Sequence, residues 1–324
     1  MRSPMPHGVS RIAVAALAVL LPASVMAQKY PTKPIRIVVG FAAGGSTDLV
    51  ARTASSKLHA ALGQPVIVEN RPGAGGNIAA EFVAQAPADG HVLLVTPSAF
   101  AVNPSLYRRA PYDAIKDFAP FTGLTSYMLF RVCHPSLPVR SVKQLIALAK
   151  SRPGHLNYSS AGTGTTTHIS GELLSHMVQV KMTHVPFRGT GQQLPALLSG
   201  EVALAFGSTT VVPLIQAGKV VLLGVTGAKR FPDFPDAPTI AETVPGYEVT
   251  SWNAMFSPAN TPPAITKRIS EELRKGFGQP DARAIFERQG LEVTTGTPEE
   301  LGALVAEETA KWATVIKAAR IPLQ

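Results

Sequence analysis

The residues of this chain best placed to do chemistry are small ones. Three segments mix glycine with short hydroxyl side chains: Gly40-Phe41-Ala42-Ala43-Gly44-Gly45-Ser46-Thr47-Asp48, Asn70-Arg71-Pro72-Gly73-Ala74-Gly75-Gly76-Asn77 and Ser160-Ala161-Gly162-Thr163-Gly164-Thr165-Thr166-Thr167-His168. A glycine-rich turn that feeds a helix leaves main-chain N–H groups unpaired at a positive dipole end, which suits an anion. Ser46, Thr47, Ser98, Ser160, Thr163, Thr165 and Thr166 add donors without formal charge, so they meet a ligand in a dry cleft at small desolvation cost. The chemistry these types support is the binding of a carboxylate-sized anion by amides and hydroxyls. For any one loop the alternative is that it only caps its helix and lets the strand pack closely; three such loops in one chain weigh against that.

Other anion chemistries fit less well. Residues 40–45 have the GxxxxG spacing of a phosphate loop, but Ser46-Thr47 follow and the lysine that reaches the terminal phosphates is missing. Gly73-Ala74-Gly75-Gly76 and Gly162-Thr163-Gly164 begin like a dinucleotide fingerprint, yet Ile78 and Thr167 stand where its last glycine belongs. No cofactor is expected. Ser160 with His168 has neither a GxSxG elbow nor an identifiable third partner, so an exported serine hydrolase is the weakest alternative and the chain is not read as an enzyme. His155, His168, His176 and His184 lack the HExxH arrangement, and no metal is expected. Asp48 would repel a carboxylate and is read as a first-turn residue favoured by the helix dipole. His168 either hydrogen-bonds within its own loop or donates to a ligand. Arg188, after Pro186-Phe187, is read first as a solvated loop arginine and second as an anion clamp.

The elements around these loops alternate. Short β-branched runs at residues 35–39, 66–68 and 92–95 are separated by helical patterns at 49–62 and 78–86, the signature of βαβ units around a parallel sheet. A second α/β set starts near residues 128–132. It continues with a helix opened by Ser141 and Gln144, a strand at 156–159 feeding the third loop, and strand-like runs at 183–187, 202–206 and 220–225. The C-terminal part reads as helical, with starts at Thr261-Pro262 and Thr297-Pro298-Glu299-Glu300 and with Trp312 packing down on a core.

The envelope is that of a well-buried globular protein. The chain has 324 residues, 45% hydrophobic and 16% charged, enough for about two domains. One cysteine, Cys133, excludes an internal disulfide and a thiolate zinc cluster. Arg2 and Arg11 precede the apolar run 12–21, and Val25-Met26-Ala27 has the small residues of a signal cleavage site, so residues 1–27 are expected to be a cleaved export signal. The run is too short to span a membrane, for which about 20 residues are needed. No cysteine follows it, so no lipid anchor is expected and the mature chain is assigned to the periplasm. Removing Arg2 and Arg11 lowers the formal charge from +9 to +7. The remaining basic residues are scattered, which argues against nucleic-acid binding and modestly favours small anions.

The segments Tyr30-Pro31-Thr32-Lys33-Pro34-Ile35-Arg36, Phe41 to Asp48, Glu69 to Asn77, Asn103-Pro104-Ser105-Leu106-Tyr107, Leu156 to Thr165 and Gly296 to Glu300 resemble the Bug family. These are the extracytoplasmic solute receptors of tripartite tricarboxylate transporters, and the likeness spans nearly all of the mature chain in the family's order. The resemblance implies an α/β protein with the two-lobed periplasmic binding protein fold (type II), each lobe a mainly parallel sheet flanked by helices, with the ligand between lobes. It divides the chain into 28–124 for lobe one, 125–251 for lobe two and 252–324 returning to lobe one. It also implies a small organic acid as ligand, membrane subunits of a tripartite transporter or a membrane sensor as partner, and a monomer. The ligand-binding set expected on this basis is Phe41, Ala43, Gly44, Gly45, Ser46 and Thr47 from the first loop and Gly73, Ala74, Gly75, Gly76 and Asn77 from the second. Thr96 and Ser98 follow the third strand, and Ser160, Ala161, Gly162, Thr163, Gly164, Thr165 and His168 come from the third loop, with Arg188, Gly207 and Ser208 completing the set. Some amino-acid-binding relatives carry an aspartate where this chain has Gly207. Its absence implies a ligand with carboxylates and no required ammonium, and Gly207, Ser208 and Thr209 are expected to leave room for a larger or hydroxylated acid.

Overall fold

In the computed structural model, residues 30–318 and 321–324 are described. The expected export signal at 1–27 lies outside them. The elements follow in the order β1 (Ile35–Val39), α1 (Ser46–Leu62), β2 (Val66–Asn70), α2 (Asn77–Ala84), β3 (Val92–Pro97), α3 (Ala99–Leu106), β4 (Phe118–Met128), β5 (Phe130–Cys133) and α4 (Val142–Ser151). Next come β6 (Asn157–Ser160), α5 (Thr166–Met177), β7 (Thr183–Pro186), α6 (Thr190–Leu198), β8 (Leu204–Gly207), α7 (Val212–Gln216) and β9 (Val221–Val225). The chain ends with β10 (Thr250–Pro258), α8 (Pro263–Phe277), α9 (Pro280–Glu287), β11 (Glu292–Val293) and α10 (Pro298–Ala318). Among the described residues no helix is long and apolar enough to cross a membrane.

These strands form two sheets, one per lobe: β11-β4-β10-β3-β1-β2 and β7-β6-β8-β5-β9. Each contains three parallel strands, β2-β1-β3 and β7-β6-β8. Antiparallel partners extend both, so the sheets are mixed. The parallel strands end in the loops that begin α1, α5 and α6, and this puts helix N-termini at one edge of each sheet. β1 and β3 are buried over nearly their whole length, as parallel strands covered on both faces must be.

Each lobe has its own core. Under the first sheet Phe100 stacks on Phe256 and Tyr112 with ring centroids 4.6 and 5.1 Å apart and meets Phe118 edge-on at 4.9 Å. Such pairs contribute roughly 0.5–1.5 kcal/mol each beyond area burial. The second core gathers Phe130, Val132, Leu197, Ala205, Val211, Val225 and Phe231. Helix starts follow local chemistry. Thr297 N donates to Glu300 Oε2 at 2.8 Å and Glu300 N to Thr297 Oγ1 at 3.2 Å, a complete capping box opening α10. At α4 Gln144 N donates to Ser141 Oγ, but the Gln144 side chain accepts from Arg140 N instead of from Ser141 N. Trp312 is buried, with its indole N–H donated to Glu308 Oε2 at 2.7 Å.

The chain passes between the sheets at two places, and one side chain ties them. β4 stays in the first sheet to Met128, Leu129 follows, and β5 begins in the second; the return lies just before β10. Thr226 Oγ1 accepts from Leu129 N at 2.8 Å and donates to Val249 O at 2.6 Å. Its main chain bonds the same two residues, as Thr226 N to Leu129 O and Val249 N to Thr226 O.

Candidate ligand-binding cleft

Three helix N-termini converge between the lobes. Gly45, Ser46 and Thr47 open α1, Thr165, Thr166 and Thr167 open α5, and Gly189, Thr190 and Gly191 open α6; all nine line one chamber of about 50 Å³. Phe41, Pro97, Tyr127, Leu129, Ala161 and Ser208 supply more of its wall, and among the described residues no charged side chain lines it. The first helical bond of α1 runs from Leu49 N to Gly45 O, and those of α5 and α6 reach Thr165 O and Gly189 O. The amides ahead of them therefore have no acceptor inside their helices. Each N-terminus carries about half a positive elementary charge, so the chamber favours a negative group without a basic side chain in its wall.

Most hydroxyls in this wall are already committed to building it. Thr47 Oγ1 donates to Asn253 Oδ1 at 2.8 Å, and Asn253 Nδ2 donates to Thr125 Oγ1 at 3.1 Å, which moors α1 to β10 and β4. Thr165 caps α5 and donates to Gly162 O at 2.6 Å, while Thr167 Oγ1 accepts from Ala161 N at 2.9 Å. Gln193 Nε2 donates to Ser159 O and Phe206 O, pinning α6 to the ends of β6 and β8. Burial pushes the Tyr127 phenol up, with Ser251 and Ser46 as its hydrogen-bond neighbours, so it stays a neutral donor.

The second glycine loop faces a separate, outer chamber of about 400 Å³. Gly73, Ala74, Gly75 and Gly76 line it from one lobe and Gly162, Thr163, Phe187 and Arg188 from the other. Phe41 and Ala161 belong to the walls of both chambers and stand between them. The lobes touch here. Tyr107 Oη donates to Thr163 O at 3.4 Å, and Ser98 Oγ lies 2.8 Å from Thr166 Oγ1.

The structure thus brings together Phe41, Gly45, Ser46, Thr47, Ala161, Thr165 and Ser208 around the inner chamber, and the 73–76 loop, Gly162, Thr163 and Arg188 around the outer one. Ala43, Gly44, Asn77, Thr96, Ser98, Ser160, Gly164, His168 and Gly207 line neither chamber. The reasons are physical. Gly44 N donates to Asp48 Oδ2 at 3.0 Å, and Asp48 also accepts from Asn70 Nδ2 and Arg52 Nε, so its carboxylate closes the first turn. Burial is the largest influence on that carboxyl and pushes it up, but Arg52, Gly44 N and Asn70 together hold it below the ordinary range. Asn77 Oδ1 accepts from Asn103.

The Ser160 hydroxyl is buried and lies 2.6 Å from His184 Nε2, not on His168. His168 Nδ1 accepts from Gly164 N at 3.3 Å within its own loop, which places its proton on Nε2, and its ring stacks on His184 at 4.1 Å. Burial, and then the neighbouring His184, lower His168 to about 3; burial lowers His184 to about 4. Burial therefore favours the neutral form of both imidazoles. The room expected at Gly207 is filled, because a Cβ there would come within 2.9 Å of Val211 Cβ.

Nine residues of the inner wall lie outside the expected set: Gly189, Thr190, Gly191, Ala42, Thr166, Thr167, Pro97, Leu129 and Tyr127. The first three had a signal, since Gly189-Thr190-Gly191 is a fourth glycine and hydroxyl turn between a strand and a helix. Tyr127 had none, because it ends a strand that the sequence pattern did not show.

Two α/β lobes, two crossing segments tied at Thr226 and a cleft faced by helix N-termini define a solute-binding receptor of the periplasmic binding protein class. The chain belongs to the Tripartite tricarboxylate transporter family receptor group, whose description it matches over residues 50–321. It is 33% identical to the protein BugT of Bordetella pertussis, over 91% of this chain and 92% of that one. Among solved structures, Rpa4515 of R. palustris with adipate shares 36% identity and a TM-score of 0.87, covering 91% of this chain and all (100%) of that one. MatC from Rhodopseudomonas palustris with bound malate shares 33% identity and a TM-score of 0.85, covering 89% and 100%.

Proposed function

We infer that this protein captures a small organic carboxylate between its lobes in the periplasm and hands it to the membrane subunits of a tripartite tricarboxylate-type transporter. The observation that carries the reading is the convergence of three helix N-termini on a chamber whose wall, among the described residues, has no charged side chain. A carboxylate there accepts amide hydrogen bonds from both lobes at once, so its arrival stabilises the closed form over the open one. The outer chamber, with Arg188 in its wall, takes the remainder of the acid. Relatives solved with adipate and malate support an acid as ligand. On this reading lobe one comprises the first sheet and its helices, lobe two the second, and the hinge lies at Leu129, Thr226 and Val249. Residues 1–27 direct export and the receptor acts as a monomer.

Calorimetry against a panel of mono-, di- and tricarboxylates, together with mass spectrometry of compounds that co-purify from native cells, tests this. The Cβ position of Gly45 lies 3.5 Å from Thr190 Oγ1. Gly45→Leu therefore fills the gap between α1 and α6 and is expected to abolish binding in a folded protein. Undiminished affinity in that variant would count against the inner chamber as the site.

A further inference from the structure

Arg131, on β5, is a buried cation without a counter-ion among the described residues. Its side chain is sealed in the second lobe at 0% exposure. The guanidinium lies 4.5 Å from the Phe206 ring centroid and 6.0 Å from that of Tyr158. Nη2 donates to the Met182 sulfur at 3.4 Å, while Nε and Nη1 have no hydrogen-bond partner among the described residues. The titratable groups beside it are Tyr247, Tyr158 and Cys133, none of them a carboxylate. Glu172, on α5, accepts instead from the Tyr158 hydroxyl at 2.6 Å.

Burying an unpaired ion is unfavourable, and apolar side chains of similar volume commonly replace buried ions without loss of stability. A methionine would pack against Phe206, Tyr158 and Met182 as well. What it cannot supply is charge. Arg131 pairs with Phe206 across the β5–β8 ladder, and Ser208, two residues further along, lines the inner chamber. At about 3.4 Å per strand residue the cation stands on the order of 10 Å behind a chamber wall that has no charge of its own.

We propose that Arg131 is the ligand's counter-charge, a cation sealed in the second lobe that draws this lobe onto an anion presented by the first. The inference rests on the reading of the inner chamber as an acid site. Both charges lie in a low-dielectric interior, where dissolved salt screens poorly. A neutral compound of the same shape gains nothing from Arg131, so closure responds to the charge of the occupant as well as to its fit. At this separation and an effective dielectric of about 20 the attraction corresponds to about tenfold in affinity.

The experiment is calorimetry of acetate, malate, adipate and citrate against the wild type, Arg131→Met and Arg131→Lys, at 50 and 500 mM sodium chloride, with melting curves of the ligand-free chains. Arg131→Met is expected to melt no lower than the wild type and to bind acids about tenfold more weakly, while Arg131→Lys binds within threefold of the wild type. Wild-type affinity is expected to change less than about threefold between the two salts. An Arg131→Met chain that binds like the wild type, or an Arg131→Lys chain that loses as much as Arg131→Met, overturns the counter-charge. If Arg131→Met does not fold, the lysine variant and the salt series decide: a loss of tenfold or more in either overturns it. A wild type that binds none of the four acids overturns the acid-site reading and this inference with it. A wild type that binds while Arg131→Met is indifferent overturns this inference alone.

Discussion

Gly75 and Thr163 meet across the cleft so closely that a Cβ built on Gly75 would lie 2.6 Å from the Thr163 carbonyl oxygen. Gly75 also has φ +64°, in the left-handed region. Two penalties therefore fall on any side chain there. The conformational one, roughly 1–2 kcal/mol, is felt wherever the loop keeps its shape. The steric one is felt only when the lobes are together. Gly75→Ala is expected to lower stability by about 1 kcal/mol in urea titrations and to weaken ligand binding by more than tenfold. Equal affinity in calorimetry would mean that the two residues separate in the bound form.

Three hydroxyls form a second bridge. Ser98 Oγ is 2.8 Å from Thr166 Oγ1 and 3.0 Å from Ser251 Oγ, and the latter two are 3.2 Å apart. Ser98 and Thr166 belong to different lobes. The bridge is made by side chains of the two lobes, so it favours the closed form. Ser98→Ala removes one net hydrogen bond, about 1 kcal/mol, and shifts the unliganded population roughly fivefold toward open. Small-angle scattering of ligand-free protein should show a larger radius of gyration in the variant. An unchanged radius would place the bridge outside the closing motion.

The paired imidazoles of His168 and His184 predict an acid sensitivity. Their folded-state pKa values, about 3 and about 4, lie below the ordinary 6.5. The unfolded chain therefore binds protons between pH 6.5 and about 4 that the folded chain refuses. Stability from these groups is fully present above pH 6.5 and is lost as pH falls from there toward the folded values. At pH 5 the loss is up to about 2 kcal/mol for each imidazole. Melting temperatures at pH 7.5 and 5.0 measure it, and His184→Gln, which cannot be protonated and can still meet Ser160, should flatten the profile. A wild-type profile that is already flat would show that water reaches the pair.

The parts of the fold most legible in the sequence were those where pattern and packing agree. β1, β3 and the helices that follow β1 and β6 combine β-branched runs with glycine punctuation, and local preference there points the same way as the tertiary structure. β4 and β10 went unread for an identifiable reason. β4 runs Phe118–Met128 through Pro120 and Gly123 and buries Thr122 and Thr125, so it lacks both the apolar run and the alternation that mark a strand. Its antiparallel pairing with β10 spans residues far apart in sequence, which no local signal reports. At the site, glycine and hydroxyl turns were legible as a class. Their division into an amide-lined inner chamber and an outer one was not, because it depends on which hydroxyl each neighbour has already claimed. Ser160 shows the difference, being a short donor by type and yet fully occupied by His184 and Gly162 N.

Gly207 turns specificity into a packing question. The family resemblance implies an aspartate at this position in some amino-acid binders, but here Val211 Cβ and Cγ1 stand 2.9 and 3.0 Å from where its Cβ would sit. Both residues are buried in the second core. Gly207→Asp alone therefore forces apart a well-packed pair and buries a carboxylate, at a cost of about 2–4 kcal/mol by the usual penalties for overpacking and unpaired polar burial. It is expected to lower the melting temperature and to gain no affinity for amino acids. Combining it with Val211→Ala removes the clash. The double variant should recover part of the lost stability, and because the two residues are in contact its effect should be non-additive. Only the double variant is then expected to bind aspartate or glutamate measurably. If the single variant melts like the wild type, β8 has moved to accept it, and the barrier to amino-acid binding lies in the ligand chamber and not behind it.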